Sequence, residues 1–126
     1  MQSVTSNAVF ENCLQVEKVT GTTLVGGGTY TIQKVGKVVT LDITGMNIPS
    51  SVASNQVVVQ LPERFIPNVT FSTVGFCGNG SLYFSATLGF QIYGKTATSV
   101  KGNVVVYPYM DLDVYLPQLH AVWIVD

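Results

Sequence analysis

Alternation of apolar and polar residues, which begins near residue 29 and recurs to the end of the chain, constrains the fold most. In the segment 37–44, for example, Val39, Leu41 and Ile43 share one face. A period of two is that of a β-strand, whose successive side chains point to opposite faces. Turn residues recur every 8–12 residues or so, which is typical of an antiparallel sandwich or barrel. We predict about nine short strands, at 29–35, 37–44, 56–61, 69–76, 82–84, 88–93, 103–107, 114–116 and 121–125.

Glycine and proline mark the connections between these strands. Gly36 and Lys37 predict a two-residue hairpin turn, and residues 78–80 predict a flexible hairpin loop. Proline cannot donate to a strand ladder, so each proline is expected at a strand end or an edge. The segment 61–67, which proline punctuates at Pro62 and Pro67, predicts a rigid connection. Its apolar members are expected to plug the end of the sheet structure: Leu61, Phe65 and Ile66.

The opening segment, residues 1–20, has a different pattern. Residues 5–7 are good helix caps, and an apolar stripe at helical spacing follows them. We therefore predict a short helix over 7–16. A helix of this length is marginal alone, so it must pack on its own β domain or on sister chains as the end of a coiled-coil stalk, and the pattern leaves both open. The stripe consists of Val9, Phe10, Cys13, Leu14 and Val16.

A glycine run at 26–28 is expected to link this segment to a β domain at 29–126. At 126 residues the chain has the size of one domain. Its charged share is 10%, against about 25% in ordinary domains, and its net charge is −1. These values argue against nucleic acid or an acidic lipid surface as partner, and no apolar run suggests membrane insertion. They favour either surface buried in an oligomer or a surface rich in small polar residues.

The residues offer little chemistry for catalysis. The single histidine, His120, is expected to be a solvated or hydrogen-bonded surface residue, and Trp123 a core residue. The two cysteines, Cys13 and Cys77, are expected to be free thiols. No nucleophile motif, metal-ligand spacing or phosphate-binding glycine loop occurs in the sequence. We therefore expect no enzyme activity, no metal and no cofactor.

One polar and aromatic cluster, over residues 107–115, is a candidate binding site. Aromatic rings stack on the C–H faces of sugars, and carboxylates accept hydrogen bonds from sugar hydroxyls, so this composition suits a saccharide. The alternative is that the tyrosines cover the edge of the sheet and the aspartates form a solvated turn. A pair of glycosidase carboxylates is a poor fit, because the two aspartates lie too close in sequence. The candidate residues are Tyr107, Tyr109, Asp111, Asp113 and Tyr115.

Four segments carry a resemblance to a known family. The segment 3–10, SVTSNAVF, resembles the VTSNAVY segment of many bacteriophage tail-fibre and receptor-binding proteins. The segment 30–41 resembles the hairpin of their C-terminal heads, 61–67 resembles their LPEGFRP connection, and 120–126 resembles their last strand. The four segments occur in the family order.

This resemblance implies a homotrimer in which the opening helix ends a stalk and each chain contributes a β head. It implies a non-enzymatic protein on the surface of the virion, assembled in the bacterial cytoplasm, that contacts other fibre, baseplate or capsid proteins and attaches to a bacterial surface saccharide. Three alternatives stay open. They are a structural fibre or capsid decoration without a receptor, a polysaccharide depolymerase, and a monomeric carbohydrate-binding module whose helix packs on its own sheet.

Overall fold

The computed structural model describes residues 16–49, 56–79, 82–107 and 114–126. The described residues form eight strands and two short 3-10 turns, at Glu63–Phe65 and Lys95–Ala97. The predicted mainly β class is therefore confirmed. Within the same residues, no helix is long and apolar enough to span a membrane. The strands are β1 (Val16–Thr22), β2 (Thr29–Val35), β3 (Val38–Ile48), β4 (Gln56–Gln60), β5 (Phe71–Asn79), β6 (Leu82–Ile92), β7 (Asn103–Val106) and β8 (Val114–Ile124).

The eight strands form one antiparallel sheet in the order β1-β2-β3-β8-β5-β6-β7-β4. This sheet curls into a half-barrel. Its two edge strands approach each other, because the Leu24 N–H after β1 donates to the Val58 carbonyl in β4 at 2.8 Å. Arg64, just after β4, also pairs with Glu17 in β1. The expected sandwich or barrel is thus realised as one sheet curled around one core.

The opening segment differs from its prediction in its last residues. Val16, predicted to end the helix, is the first residue of β1, and all seven residues of β1 pair in register with β2. The helical assignment of Val16, and the assignment of residues 16–20 to a segment outside the β domain, are therefore wrong. The reason is that β-branched residues favour strands, and pairing with β2 satisfies their backbone groups. The stripe residues that precede them lie outside the described residues: Val9, Phe10, Cys13 and Leu14.

The glycine run at 26–28 is a tight turn within the sheet and does not link two separate units. Gly26 and Gly27 both have positive φ, at 79° and 65°. The Thr23 hydroxyl accepts a hydrogen bond from the Gly28 N–H at 2.9 Å and donates to the Val25 carbonyl at 2.6 Å. The turn therefore joins β1 to β2 with its buried polar groups satisfied.

In two places, a pair of strands predicted as separate is a single long strand in the structure. The predicted segments 82–84 and 88–93 both fall in β6, apart from residue 93, and 114–116 and 121–125 both fall in β8, apart from residue 125. β8 continues through Pro117, which was expected at a strand end. Pro117 lies where the register between β5 and β8 shifts, and the facing stretch of β3 contains Gly45 at φ 69°. A bulge tolerates a residue without an N–H, so the strand continues.

The core lies on the concave face of the sheet, where alternate residues of most strands are buried. The connection after β4 seals one end of it. Its apolar residues are fully or almost fully buried, as predicted: Leu61, Phe65 and Ile66. Trp123 in β8 is also buried, as predicted, and its ring lies 5.7 Å from that of Phe71. The outer, convex face carries the candidate sites.

Candidate functional site

The structure places two of the five predicted saccharide residues. Tyr107 directly follows β7 and Tyr115 lies in β8, whereas Tyr109, Asp111 and Asp113 lie outside the described residues. Tyr107 and Tyr115 have similar exposure, 37% and 38%. Strands β5 and β6 lie between β7 and β8 in the sheet, which separates the two tyrosine-bearing strands by about 14 Å at ordinary strand spacing. The two tyrosines are therefore not neighbours on one strand face.

Tyr107 extends across the neighbouring strand. Its backbone N–H donates to the Gly89 carbonyl at 3.0 Å, and its hydroxyl donates to Oε1 of Gln91, two residues along β6. A Cβ atom added to Gly89 would lie 3.5 Å from Cδ2 of the Tyr107 ring. The ring thus passes from β7 over Gly89 toward Gln91. The missing side chain at Gly89 lets the ring lie along the sheet, as aromatic residues do over glycines in other sheets.

A second tyrosine supports this arrangement. Burial, followed by the charge of Tyr93 and a hydrogen bond with its side chain, raises the pKa of the Tyr107 phenol above its ordinary value. The neutral phenol is the form that donates to the Gln91 oxygen. At neutral pH the hydroxyl of Tyr107 is therefore held by polar partners, and the ring has a defined position.

Val105 forms the floor of this small region. The residues on either side of it, Val104 and Val106, belong to the core, so Val105 faces the outer side. It is nevertheless only 3% exposed. It pairs with Gln91 in β6, so the outer side chains around it form a packed surface. We call this surface the tyrosine ledge; its members are Gly89, Gln91, Tyr93, Val105 and Tyr107.

The strand next to the ledge adds small and apolar residues. Ser72 pairs with Gln91, and Val74 pairs with Gly89. On the other side Gln60 donates through Nε2 to Oδ1 of Asn103 at 3.4 Å. All the described residues named here are uncharged, so the ledge offers hydroxyls, amides and a ring without a formal charge.

A second feature of the outer face is apolar. Val16, Val35, Val38 and Ile124 are directly paired across β1, β2, β3 and β8, which places them in one line on one face. Ile124 is 68% exposed, and the neighbouring outward residue Val122 is also exposed. We call these five residues the apolar row. Exposed apolar patches of this kind are typical of protein interfaces.

Phe76 in β5 extends the apolar character of the outer face. It is 69% exposed and pairs with Gln118 of β8. Val74, two residues earlier in β5, is exposed as well. The outer face of the central strands therefore leaves large apolar side chains in contact with solvent.

His120 and Asp42 form an exposed pair on the same face. They are directly opposite each other in β8 and β3, and His120 Nδ1 lies 2.6 Å from Asp42 Oδ1. The prediction of a hydrogen-bonded surface histidine is confirmed. Within the described residues, no group of three or more histidine, cysteine or acidic side chains is placed to hold a metal ion. Cys77 is a free and buried thiol, and burial raises its pKa.

Sequence reasoning found Tyr107 but missed the residues that hold it. Gly89 was one available signal, because a glycine inside a strand often marks the close approach of another group. Gln91 and Tyr93 follow it at the spacing of one strand face. What the sequence did not show is that β6 and β7 pair in the register that brings Tyr107 over them.

Comparison with solved structures finds a similar fold in a phage protein. The chain is similar to the receptor binding protein gp15 of Listeria phage PSA, with a TM-score of 0.58 and 15% sequence identity. The match covers 96% of this chain and 73% of the phage protein. No protein-family model matches the chain, and no curated protein sequence matches it. The curled eight-stranded sheet is thus a fold that this chain shares with a phage receptor binding protein.

Proposed function

We propose that the chain is the head of a bacteriophage receptor-binding or tail-fibre protein, which attaches as a homotrimer to a saccharide on the bacterial surface. The observation that carries this proposal is the fold shared with the Listeria phage receptor binding protein over 96% of the chain. The four sequence segments that resemble phage fibre heads support it independently. The protein would be exposed on the virion and assembled in the bacterial cytoplasm with other virion proteins.

The apolar row supports the homotrimer. Exposed valines and an isoleucine on a chain with only 10% charged residues are suited to burial against another subunit. In a ring of three, each subunit would use two different patches, and the ring would close by rotation. Once one weak saccharide site of a trimer is occupied, the other sites are held at a high effective concentration near the cell surface. Several weak sites would then bind more tightly together than each one alone.

Attachment of this kind requires no chemical step, so we propose that the protein is not an enzyme. The exposed tyrosines and uncharged amides of the outer face support saccharide recognition, because a ring can stack on a sugar while amides bond its hydroxyls. The loop residues Tyr109, Asp111 and Asp113, together with Tyr115, remain candidates for the same ligand.

Binding of the fluorescently labelled full chain to a panel of bacterial cells and their extracted surface polysaccharides tests attachment. We expect binding to some strains and its inhibition by the polysaccharide of those strains. Binding that resists excess polysaccharide would contradict a saccharide receptor. Release of reducing sugar from the bound polysaccharide would overturn the non-enzymatic proposal and favour a depolymerase.

Light scattering of the full chain tests the trimer. We expect a mass three times that of the chain, and dissociation in the variant Ile124→Lys. Val69→Lys is a matched control, since Val69 is similarly exposed but lies in a connection outside the apolar row. A monomer at micromolar concentration would contradict the trimer and favour a monomeric carbohydrate-binding module.

A second candidate is a structural fibre or capsid decoration without a receptor. The exposed apolar outer face supports this structural role as well as it supports the homotrimer, because such a face is also suited to contact with other virion proteins. A trimer that binds no cell and no polysaccharide in the panel would favour this candidate.

A further inference from the structure

We infer that the tyrosine ledge is a binding site for a neutral pyranose sugar and that it is complete within one subunit. This inference rests on the proposed attachment to a saccharide and adds the location of a site and the class of sugar. It concerns Gly89, Gln91, Tyr93, Val105 and Tyr107, of which only Tyr107 belongs to the cluster that the sequence indicated.

The Tyr107 ring is held in a defined position on the sheet. One edge of the ring is close to Gly89, and the hydroxyl donates to Oε1 of Gln91, so the ring runs along the sheet. At 37% exposure it still presents surface to solvent. A ring held along a sheet with an open face is a platform on which the C–H face of a pyranose can stack. Because the ring is already ordered, binding costs little side-chain entropy.

Polar groups that can bond sugar hydroxyls lie beside the ring. Gln91 uses its Oε1 to accept from Tyr107, and its amide nitrogen can donate to a sugar hydroxyl. The Ser72 hydroxyl lies on the neighbouring strand opposite Gln91 and can donate or accept. A few polar groups around an apolar surface are the usual composition of a small-ligand site.

The absence of formal charge on the ledge favours a neutral ligand. The ledge and the residues that pair with it, Ser72 and Val74, are all uncharged. An anionic sugar or a phosphate-bearing polymer would find no cation among the ledge residues and their strand partners. A neutral sugar needs no cation for its recognition.

A single chain supplies every group of the ledge. The ledge is built by β6 and the end of β7, two strands paired in the same sheet, and its floor, Val105, is buried within the single chain. A site made between subunits would require surface from a neighbouring chain. The ledge therefore does not depend on the trimer.

The experiment is a titration of the full chain, labelled for backbone amide NMR, with methyl glycosides of glucose, galactose, rhamnose and N-acetylglucosamine. Glucuronate and glycerol phosphate are the anionic probes. We expect at least one neutral glycoside to shift the amide signals of Gly89 and Gln91, and neither anion to do so. The absence of shifts at the ledge with every neutral glycoside, shifts there with the anions alone, or shifts confined to other residues would overturn the inference.

Variants distinguish the contribution of the Tyr107 ring to sugar binding from that of other residues on the outer face. Tyr107→Ala is expected to weaken the neutral glycoside about tenfold, whereas Tyr107→Phe keeps the ring and should bind within about twofold of the wild type. Tyr115→Ala tests the other candidate tyrosine in the described residues, which has similar exposure and lies three strand positions away. Loss of binding in Tyr115→Ala with full binding in Tyr107→Ala would overturn the inference.

A further variant covers the case in which Tyr107→Ala does not fold. Gln91→Ala removes the hydroxyl acceptor and the amide donor on a partly exposed position, and it is expected to weaken the glycoside several-fold with little change in thermal stability. If a folded Gln91→Ala protein binds the glycoside with unchanged affinity, the assignment of the ledge as the sugar site is overturned. If no glycoside binds at the ledge but the chain still attaches to bacterial cells, the proposed function stands and the ledge is overturned. If a glycoside binds at the ledge but the chain attaches to no cells, the result supports the ledge and not the proposed function.

Discussion

The indole Nε1–H of Trp123 donates a hydrogen bond to the backbone carbonyl of Phe65, at 2.7 Å. Trp123 lies in β8, and Phe65 ends the short 3-10 turn that follows β4. Strand β4 is at one edge of the sheet and β8 is in its interior. This buried bond therefore ties the connection between Pro62 and Pro67 to the centre of the sheet and helps to close the core.

We predict that Trp123→Phe lowers the free energy of unfolding by about 2 kcal/mol, because it leaves the Phe65 carbonyl without its donor and removes buried volume. Urea unfolding followed by circular dichroism measures this loss. Phe71→Leu is a useful comparison, since it removes the ring contact with Trp123 and keeps the hydrogen bond. A Trp123→Phe protein as stable as the wild type would show that the bond contributes nothing.

The two adjacent glycines of the β1–β2 turn differ in the space around them. A Cβ on Gly26 would lie 2.1 Å from the Asn47 carbonyl oxygen, whereas a Cβ on Gly27 would meet nothing within 4 Å. Both have positive φ. We predict that Gly27→Ala costs about 1–2 kcal/mol for its backbone conformation, and Gly26→Ala about 3 kcal/mol or more because the clash with Asn47 is added.

Thermal and urea unfolding of the two alanine variants measure this difference. Since the substitution and the sign of φ are the same in both, Gly27→Ala is the matched control for Gly26→Ala. Equal losses in the two variants would mean that the contact with β3 is not formed as described.

The ion pair between Arg64 and Glu17 joins the connection after β4 to the edge strand β1. Both side chains are partly exposed, so we predict a coupling energy of only about 0.5 kcal/mol, which decreases as salt is added. A double-mutant cycle with Arg64→Ala and Glu17→Gln measures it. Arg64 also lies over the Phe65 ring, 4.7 Å from its centroid, so Arg64→Ala alone should cost more than Glu17→Gln alone.

The raised pKa of Tyr107 gives a pH dependence of known sign. An unfolded tyrosine titrates near pH 10, and the native phenol keeps its proton to higher pH. The folded state then binds more protons in that range, so the stabilisation is fully present below about pH 10 and is lost as the pH rises through the native pKa.

Two measurements test this. Ultraviolet absorbance of the phenolate should show one late-titrating tyrosine that is absent in Tyr107→Phe. The unfolding free energy of the wild type should fall toward that of Tyr107→Phe as the pH rises through the native pKa. A pH dependence that is identical in both proteins would contradict the assignment.

Cys77 is predicted to be unreactive in the native protein, because its thiol is buried and burial raises its pKa. In a Cys13→Ser background, a thiol reagent should modify Cys77 slowly at neutral pH and rapidly once urea unfolds the chain. Fast modification of the folded variant would show that β5 opens readily or that the thiol is exposed.

Alternation along the chain was enough to locate most strands, since β2 begins and ends where the pattern predicted. It was not enough for β1. The segment 16–22 contains both a possible end of a helical stripe and β-branched residues, and its pairing with β2 over seven residues settled the conformation. β6 and β8 were each predicted as two strands, because local signals such as Pro117 ended them although partners on both sides continue the ladder.

The sequence by itself determined the β class, the apolar face of the strand at 37–44 and the roles of Leu61, Phe65 and Trp123 in the core. These follow from side-chain hydrophobicity and local period. Only the tertiary structure decided that β8 lies between β3 and β5, which separates Tyr115 from Tyr107. It also decided the pairing of β6 with β7, which places Tyr107 over Gly89 beside Gln91. Strand order and register depend on backbone pairing between distant segments and on how the sheet curls, and neither leaves a periodic trace in the chain.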